Sequence, residues 1–372
     1  PPALPDLDAG ILLCCRLATK GRLMPPATSS PLLTWEPLTL KLRNPFRLSY
    51  GSTETRQAFW LRLRNDEGWG EGTIPPYYRV DSSAMTECWQ RVATGDRPLP
   101  DDIAQIASWL PEGPAPARSA LELALYDRIA KQRGVPLWKL LSLPQPPAMA
   151  TSFTIAIDTP DAMAGMARQI PDYGVIKLKL GSDDDEARVR AVREARPNVK
   201  LRVDANAGWT VEQAIANLQW LEKYNLELIE QPLPREALVE MGEVQKYTAI
   251  PIVADESVQS MADIEQLGAA GVKGINLKLM KVGGLTPALA IVKRASELKM
   301  KIMLGCMIET SIGTTAMAHL MGLADWVDLD APLLISNDPF DGVHYDRHAR
   351  MTLPDRPGIG AVRKTPTNPK PR

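Results

Sequence analysis

The sequence predicts an α/β protein in which a barrel of parallel strands follows a smaller N-terminal α+β domain. Hydrophobic and polar residues alternate with a period of two between residues 33 and 72, as in half-buried strands. From residue 151 the pattern changes, and short apolar runs recur, each followed by a helical pattern. Of the 372 residues, 45% are hydrophobic and 23% are charged, a balance typical of a globular chain, so disorder over the whole length is excluded.

The first part of the chain predicts an extension followed by the α+β domain. Residues 1–31 are proline-rich and regular alternation begins only near Leu33, so we expect a flexible N-terminal extension. The α+β domain is predicted over residues 32–148, here called the cap. The predicted cap elements are strands at 39–43 and 59–64 with a turn at 65–68, and helices within 84–95 and 115–142.

Eight apolar runs predict the strands of a barrel over residues 149–330. An open, doubly wound sheet is the alternative, but no glycine-rich dinucleotide turn follows the first run, which favours the barrel. We expect residues 331–372 to return to the cap and to end in a flexible tail. The runs are 153–157, 175–180, 199–203, 226–229, 252–254, 274–279, 302–304 and 326–329.

Charge and cysteine content exclude several classes of protein. Lys and Arg total 43 against 44 Asp and Glu, so there is no basic surplus for nucleic acid. No apolar run approaches the ~18–20 residues of a membrane-spanning helix. The four cysteines have neither metal-ligand spacing nor the density of a disulfide framework, so we expect reduced thiols and a cytoplasmic location. A small-molecule substrate is the expected partner, and the sequence is compatible with a homo-oligomer.

Five charged residues stand at the C-terminal ends of successive runs. They are Lys179, Asp204, Glu230, Asp255 and Lys278, and the intervals 179–204, 204–230, 230–255 and 255–278 span 25, 26, 25 and 23 residues. One strand–helix unit takes about this length, so the five residues occupy equivalent places. In barrel enzymes that place is the rim of the active site. A strand end that meets solvent could explain one such charge, but five charges at equivalent strand ends favour a site.

The three carboxylates predict a metal site. Asp204, Glu230 and Asp255 follow the third, fourth and fifth runs, so their strands are neighbours and the side chains converge. Three hard oxygen ligands suit Mg²⁺, and they suit zinc poorly because no His or Cys joins them.

The lysines predict acid–base chemistry. Lys179 and Lys278 lie on the second and sixth strands, which face each other across a ring of eight, so they suit a 1,1-proton transfer between two faces of one carbon. Lys177 is two residues from Lys179 and shares its face, and its positive charge would favour a neutral Lys179. The alternative for Lys177 is a solvated or carboxylate-paired charge.

The motifs K-x-K, D-x-N, E-Q-P, D-E-S and N-x-K-x-x-K together resemble the enolase superfamily, over nearly all of the chain beyond residue 32. The resemblance is to the muconate lactonizing enzyme subgroup, and it implies a modified TIM barrel of (βα)7β type under a capping domain, Mg²⁺, and two lysines that act through an enediolate. It makes Asn206, Glu256 and Lys281 candidates for supporting roles. The mandelate racemase branch, with a histidine base late in the barrel, is not favoured because none of the three histidines falls on a predicted barrel strand.

A D-x-D motif on the last strand distinguishes reactions within the superfamily. Asp328 and Asp330 share one face, opposite the metal, where two carboxylates suit an α-ammonium. The motif resembles that of dipeptide epimerases, which predicts epimerisation of the C-terminal residue of a dipeptide such as L-Ala-D/L-Xaa. The alternative for the motif is that one aspartate caps a following helix.

The alternative function is a muconate cycloisomerase or an o-succinylbenzoate synthase/N-acylamino acid racemase reaction on a carboxylate. A non-catalytic metal-dependent binding protein on this fold should lack at least one of the lysines and carboxylates described above, and none of them is missing.

The segment 305–313 is expected to line the substrate, through Cys306, Met307 and Ile312. Cys306 could be taken for a nucleophile, but no base stands beside it in the sequence, which favours a buried structural thiol.

Cap loops at 47–55 and 74–79 should close over the barrel and choose the substrate side chain, with Arg47, Tyr77 and Tyr78 as candidates. Relatives that act on L-Ala-D/L-Glu carry a basic residue a few positions beyond Pro-Phe-Lys. The matching stretch here, 45–51, offers Arg47 and no second cation, so a hydrophobic dipeptide is as compatible as one that contains Glu.

Overall fold

The computed structural model describes residues 31–365, except residues 65, 75 and 94–96. Apart from residue 31, the predicted N-terminal extension lies outside the described residues, as do residue 65 of the predicted turn and the chain after residue 365. Within the described residues, no helix is both long enough and apolar enough to cross a membrane.

The cap is a three-stranded antiparallel sheet, in the order β1-β2-β3, covered by helices. Its strands are longer than the alternating stretches predicted, because the β1–β2 ladder continues to the hairpin at Leu48 and Gly51. Helix α3 packs closely on β3, where a Cβ on Gly70 would meet the Ala120 carbonyl oxygen at 1.9 Å. The elements are β1 (Leu33–Leu48), β2 (Gly51–Leu63), β3 (Gly68–Thr73), α1 (Ser82–Ala93), α2 (Ile106–Trp109), α3 (Ala115–Gln132) and α4 (Leu137–Leu140). The short strand β4 (Met149–Ala150) follows the cap and pairs with Arg350 and Met351 of the C-terminal segment.

Eight parallel strands follow in unbroken neighbour order from β5 to β12, which confirms the α/β barrel. The first and last strands meet where Ser152 N donates to Val327 O at 3.2 Å. The elements are β5 (Phe153–Ile155), α5 (Pro160–Gln169), β6 (Val175–Lys179), α6 (Asp185–Ala195), β7 (Lys200–Asp204), α7 (Val211–Leu221), β8 (Leu226–Glu230), α8 (Leu238–Gln245), β9 (Ile252–Ala254), α9 (Met261–Ala270), β10 (Gly274–Leu277), α10 (Leu279–Val282), α11 (Leu285–Glu297), β11 (Lys301–Gly305), α12 (Ser311–Ala318) and β12 (Trp326–Asp328).

Each of the eight predicted runs contains a barrel strand or overlaps one, with ends that differ by a few residues. Strands β7 and β8 extend to their polar ends because Asp204 still belongs to the ladder, opposite Lys179 on one side and Glu230 on the other. The run at 274–279 ends early, since Lys278 is the N-cap of α10.

The C-terminal segment packs against the cap. Ser336 N donates to Lys41 O at 2.8 Å, and Phe340 lies between Trp60 and Trp69 with ring centroids 5.0 and 5.7 Å away. These contacts agree with the expected return to the cap, while the exact domain boundaries stay a prediction. The elements are α13 (Ala331–Leu334), β13 (Phe340–Asp341), β14 (His344–Tyr345), β15 (Arg350–Thr352) and β16 (Val362–Arg363).

A buried carboxylate joins the cap to the barrel mouth. Glu71, on β3, accepts hydrogen bonds from Thr310 N at 2.8 Å, Thr310 Oγ1 at 2.6 Å and Gly313 N at 3.0 Å. Burial raises the pKa of Glu71 to about 7, against these three bonds. The interaction fixes the cap sheet over the loop that leaves β11, which carries part of the site described next.

Candidate active site

Three carboxylates converge at the C-terminal ends of β7, β8 and β9. Asp204 and Glu230 are paired across the ladder, and Asp255 follows β9 by one residue. One oxygen of each lies within 4.8 Å of the others, and all three side chains are buried. Burial, and then the charge of Asp204, raise the pKa of Glu230 to about 8. The acid triad (Asp204, Glu230 and Asp255) therefore concentrates negative charge that needs a cation.

The surroundings of the triad fit a hard divalent cation. Asn276 Nδ2 donates to Glu230 Oε1 at 2.7 Å, and Asn206 N donates to Asp204 Oδ1 at 2.9 Å, so both carboxylates are oriented by neighbours. Asn206 Nδ2 also donates to Glu256 Oε1 at 3.1 Å. Among the described residues, the buried oxygens Asn206 Oδ1 and Glu256 Oε2 have no hydrogen-bond partner. Such oxygens are what the water shell of Mg²⁺ requires.

Two lysines flank the triad. Lys179 Nζ lies 2.6 Å from Asp204 Oδ2, and Lys278 Nζ lies 2.6 Å from Asp255 Oδ2. Although burial disfavours its ammonium, the carboxylate of Asp255 raises the pKa of Lys278. The two side chains come from β6 and from the end of β10, which are four strands apart in the eight-stranded sheet. They therefore bracket the space in front of the triad.

Two further lysines serve as counter-ions. Lys177 Nζ contacts Asp328, Glu230 at 3.1 Å and Asp204 at 3.4 Å. Burial opposes its charge, but these carboxylates raise the pKa of Lys177, so it is a carboxylate-paired cation. Lys281 Nζ lies 2.6 Å from Asp255 Oδ1 and donates to Asn276 O at 2.8 Å. Together these two lysines contact all three carboxylates of the triad.

The two aspartates of the D-x-D motif differ in their partners. Asp328 accepts from Ser152 Oγ at 2.6 Å and contacts Lys177, so both of its oxygens are engaged. Asp330 accepts from Thr154 N at 2.7 Å and also from the side chain of Thr154. It is the N-cap residue of α13 but makes no side-chain capping bond, which contradicts the helix-cap alternative for this residue. Burial, and then Asp328, raise the pKa of Asp330 to about 6, so near neutral pH it is ionised.

A cleft opens over these groups between the cap and the barrel. Its lining consists of Phe46, Leu48, Tyr50, Arg56, Tyr77, Tyr78, Thr154, Lys177, Lys179, Asn206, Asp255, Glu256, Lys278, Cys306, Met307, Ile308, Asp328, Asp330 and Leu334. Most of the predicted site residues are thus brought together.

Two predicted lining residues lie elsewhere, and one is less buried than expected. Arg47 is not in the lining of the cleft; its guanidinium pairs with Asp158 at 2.6 Å. Ile312 is fully buried in the first turn of α12, and Ile308 lies in the lining instead. Cys306 is half-buried, and burial followed by the charge of Glu309 raises its thiol pKa, which disfavours the thiolate that a nucleophile needs.

Sequence reasoning missed Arg56 and Tyr50. Tyr50 falls inside the cap loop that was singled out, and Arg56 lies one residue beyond it, on β2. The alternation with a period of two shows which residues share a face of the hairpin. It does not say which face meets the barrel, so it could not identify these two residues.

Comparisons with known proteins agree with this geometry. The family model described as "Enolase C-terminal domain-like" matches residues 161–365. An L-Ala-D/L-Glu epimerase of Bacteroides thetaiotaomicron is 34% identical over 339 residues, 89% of this chain and 88% of that one. A hydrophobic dipeptide epimerase of Roseobacter litoralis is 39% identical over 338 residues, 87% of this chain and 96% of that one. The structure of a dipeptide epimerase from Cytophaga hutchinsonii, complexed with Mg and the dipeptide D-Ala-L-Val, has a TM-score of 0.83 at 30% identity and covers 90% of this chain and 96% of that one.

Proposed function

The chain belongs to the enolase C-terminal domain-like family, and from that premise we propose that it is a Mg²⁺-dependent dipeptide epimerase. It inverts the α-carbon of the C-terminal residue of a dipeptide such as L-Ala-D/L-Xaa by 1,1-proton transfer through an enediolate. The observation that carries the proposal is the pair Lys179 and Lys278, which bracket the acid triad, with Asp330 available in the same cleft. The names of the relatives and of the solved structure support it.

The acid triad would hold the metal. When bound, Mg²⁺ supplies positive charge that stabilises the negative charge developing on the substrate carboxylate as the α-proton leaves. Asn206 and Lys281 orient Asp204 and Asp255, which would receive the ion, and Glu256 supports them through its hydrogen bond with Asn206.

The two flanking lysines move the proton. The neutral amine of one removes the α-proton from its face of the substrate, and the ammonium of the other returns a proton to the opposite face. In the reverse reaction the roles exchange, so no atoms or charges are left over. Lys177 stays protonated through its three carboxylate contacts and keeps a positive charge beside Lys179.

Recognition of the free amino end falls to Asp330. It lies in the cleft lining and makes no ion pair with a described residue, so its carboxylate is available to an α-ammonium. A cycloisomerase substrate without an amine would leave this buried carboxylate with no counter-charge, which is why the epimerase is preferred.

A library of L-Ala-Xaa dipeptides in D₂O with Mg²⁺ tests the function. We expect loss of the α-proton of the C-terminal residue, with accumulation of the other epimer, followed by NMR. Turnover of muconate or of a succinylbenzoate precursor, with no exchange in any dipeptide, would contradict the proposal. A cytoplasmic location and assembly into a homo-oligomer remain predictions from the sequence.

A further inference from the structure

The buried carboxylate of Glu122 lies where the cap helix α3 meets the start of the barrel helix α11. Thr286 N donates to Glu122 Oε2 at 3.2 Å, and Leu285 N and the Thr286 side chain also hydrogen-bond to this carboxylate. Tyr126, one turn further along α3, contacts Thr286 Oγ1 through its hydroxyl at 2.9 Å. Helix α11 has neither a side-chain cap at Gly284 nor an acidic residue in its first turn. The cap domain therefore supplies the anion that this helix N-terminus lacks.

Glu122 makes this contact at a cost in free energy. The residue is 1% exposed, and burial raises its pKa to about 7, against the hydrogen bonds from Thr286 and Leu285. One of its oxygens, Oε1, has no hydrogen-bond partner among the described residues. An apolar side chain of the same size would pack there without the desolvation of a carboxylate. Packing between α3 and α11 therefore does not account for the acid, whereas its contact with the backbone of α11 does.

The same contact holds the segment that begins at Lys278. Lys278 is the N-cap of the four-residue helix α10, Gly283 is its C-cap, and Gly284 is the N-cap of α11. Gly283 N and Gly284 N donate to Leu279 O at 3.0 and 3.2 Å, so this turn is bonded to the residue that follows the lysine. Both glycines have positive φ angles, 94° and 129°, in a region where the backbone is adaptable. A Cβ on Gly284 would lie 1.9 Å from Glu122 Oε2, so the carboxylate bears directly on the turn.

The other flanking lysine does not depend on this contact. Lys179 is the last residue of β6, which lies between β5 and β7 in the sheet, and it is paired with Asp204 across the ladder. The hydrogen-bond partners of the Glu122 carboxylate lie on α11. Loss of the carboxylate should therefore displace Lys278 and leave Lys179 in place.

We propose that Glu122 is a positioning residue for the reaction. From the cap it holds the start of α11, and through the turn between α10 and α11 it holds Lys278 against one face of the α-carbon. The inference rests on the proposed function, in which the two lysines act on opposite faces. It adds a role for the cap domain that is separate from the choice of substrate.

Exchange of the α-proton in D₂O, measured by NMR on each epimer separately, distinguishes positioning from general stabilisation. The epimer that Lys278 deprotonates is the one that the Lys179→Ala variant still exchanges. For that epimer, Glu122→Gln should slow exchange about 10-fold, through kcat rather than KM, because misplacing a catalytic group by about 1 Å costs up to about 100-fold. Exchange of the other epimer should stay within about twofold of the wild-type rate, since Lys179 is not displaced.

Three further variants complete the test. Tyr126→Phe removes only the hydroxyl that contacts Thr286, so it should slow the same epimer by a smaller factor. Glu122→Asp keeps the charge on a shorter side chain and should retain more of the rate than Glu122→Gln. Glu71→Gln is the matched control, because Glu71 is also a buried cap carboxylate that contacts the start of a barrel helix, but that helix is α12. It should affect both epimers alike.

Two results would overturn the inference and leave the epimerase standing. One is a Glu122→Gln enzyme that exchanges both epimers at wild-type rates, and the other is one that slows both to the same extent. If Glu122→Gln does not fold, Tyr126→Phe decides, and equal slowing of both epimers or no slowing of either would overturn the inference. A wild type that exchanges the α-proton of no dipeptide would instead overturn the proposed function, and the inference with it.

Discussion

Asp328 and Asp330 are two residues apart, but their partners differ, and so should the consequences of changing them. Asp328 accepts from Ser152 and contacts the Lys177 ammonium. Asp330 accepts from Thr154 N at 2.7 Å and has no ion pair with a cation in residues 31–365 as far as they are described. We therefore expect Asp330 to bind the substrate ammonium and Asp328 to hold Lys177 in position.

Asp330→Asn keeps an oxygen for the Thr154 bond and removes the negative charge. A hydrogen bond to a charged group contributes ~1.5–3 kcal/mol, which corresponds to about 10- to 150-fold in an equilibrium constant. We expect KM to rise by that factor while kcat changes little, because Asp330 touches the substrate away from the reacting carbon. The pKa of Asp330 is about 6, raised first by burial. Below pH 6 the carboxyl is protonated and cannot pair with the ammonium, so wild-type KM should also rise there.

Asp328→Asn should behave differently. It leaves the buried Lys177 ammonium with Glu230 at 3.1 Å and Asp204 at 3.4 Å. Removing one partner of a buried ion pair typically costs ~3–5 kcal/mol, and the two remaining carboxylates reduce this to about 1–3 kcal/mol. The expected signature is a lower free energy of unfolding and a lower kcat, because Lys177 moves relative to Lys179.

Steady-state epimerisation, followed by circular dichroism at several pH values, separates the two variants, and urea unfolding gives their stabilities. An Asp330→Asn enzyme with wild-type KM would refute the assignment of the ammonium site. So would an Asp328→Asn enzyme with wild-type stability whose only defect is a higher KM.

Two further predictions concern stability and metal binding. His319 is fully buried between Trp138 N and Ile359 O, and burial lowers its pKa from 6.5 to about 4. The unfolded chain then takes up a proton at higher pH than the folded one. The free energy of unfolding therefore decreases as the pH falls from 6.5 toward 4. At pH 5 the decrease is about 2 kcal/mol. His319→Gln should flatten this dependence in urea unfolding at pH 7.5 and 5.0, and an unchanged slope would contradict it. Mg²⁺ at about 100 times its Kd should stabilise the wild type by ~2.7 kcal/mol, as measured by a rise in Tm. Glu230→Gln should abolish that rise and the exposed control Glu240→Gln should not; a rise retained in Glu230→Gln would place the ion elsewhere.

The barrel and the convergence of the acid triad followed from spacing in the sequence. A strand–helix unit has a nearly fixed length, so charges at intervals of 23 to 26 residues had to fall at equivalent strand ends. The ladder pairs Lys179 with Asp204 and Asp204 with Glu230, as that argument requires. Local pattern was enough here because neighbouring strands are neighbours in sequence.

Contacts between distant segments could not be predicted in the same way. The contact between Lys177 and Asp328 joins β6 and β12, which lie far apart in sequence and come together only when the barrel closes, so nothing local to either residue encodes it. Arg47 and Arg56 both lie on the β1–β2 hairpin, and only the docking of that hairpin decides which of them reaches the cleft. Ile308 replaces Ile312 in the lining because α12 begins at Ser311 and turns Ile312 into the core.

The central claim is that Lys179 and Lys278 act on opposite faces of one α-carbon. Its most direct test is α-proton exchange in D₂O, measured by NMR on each epimer of an accepted dipeptide with the Lys179→Ala and Lys278→Ala variants. Neither variant should epimerise; each should exchange one epimer only, and the two variants should choose opposite epimers. Exchange of both epimers by either variant, or of the same epimer by both, would contradict the two-base account.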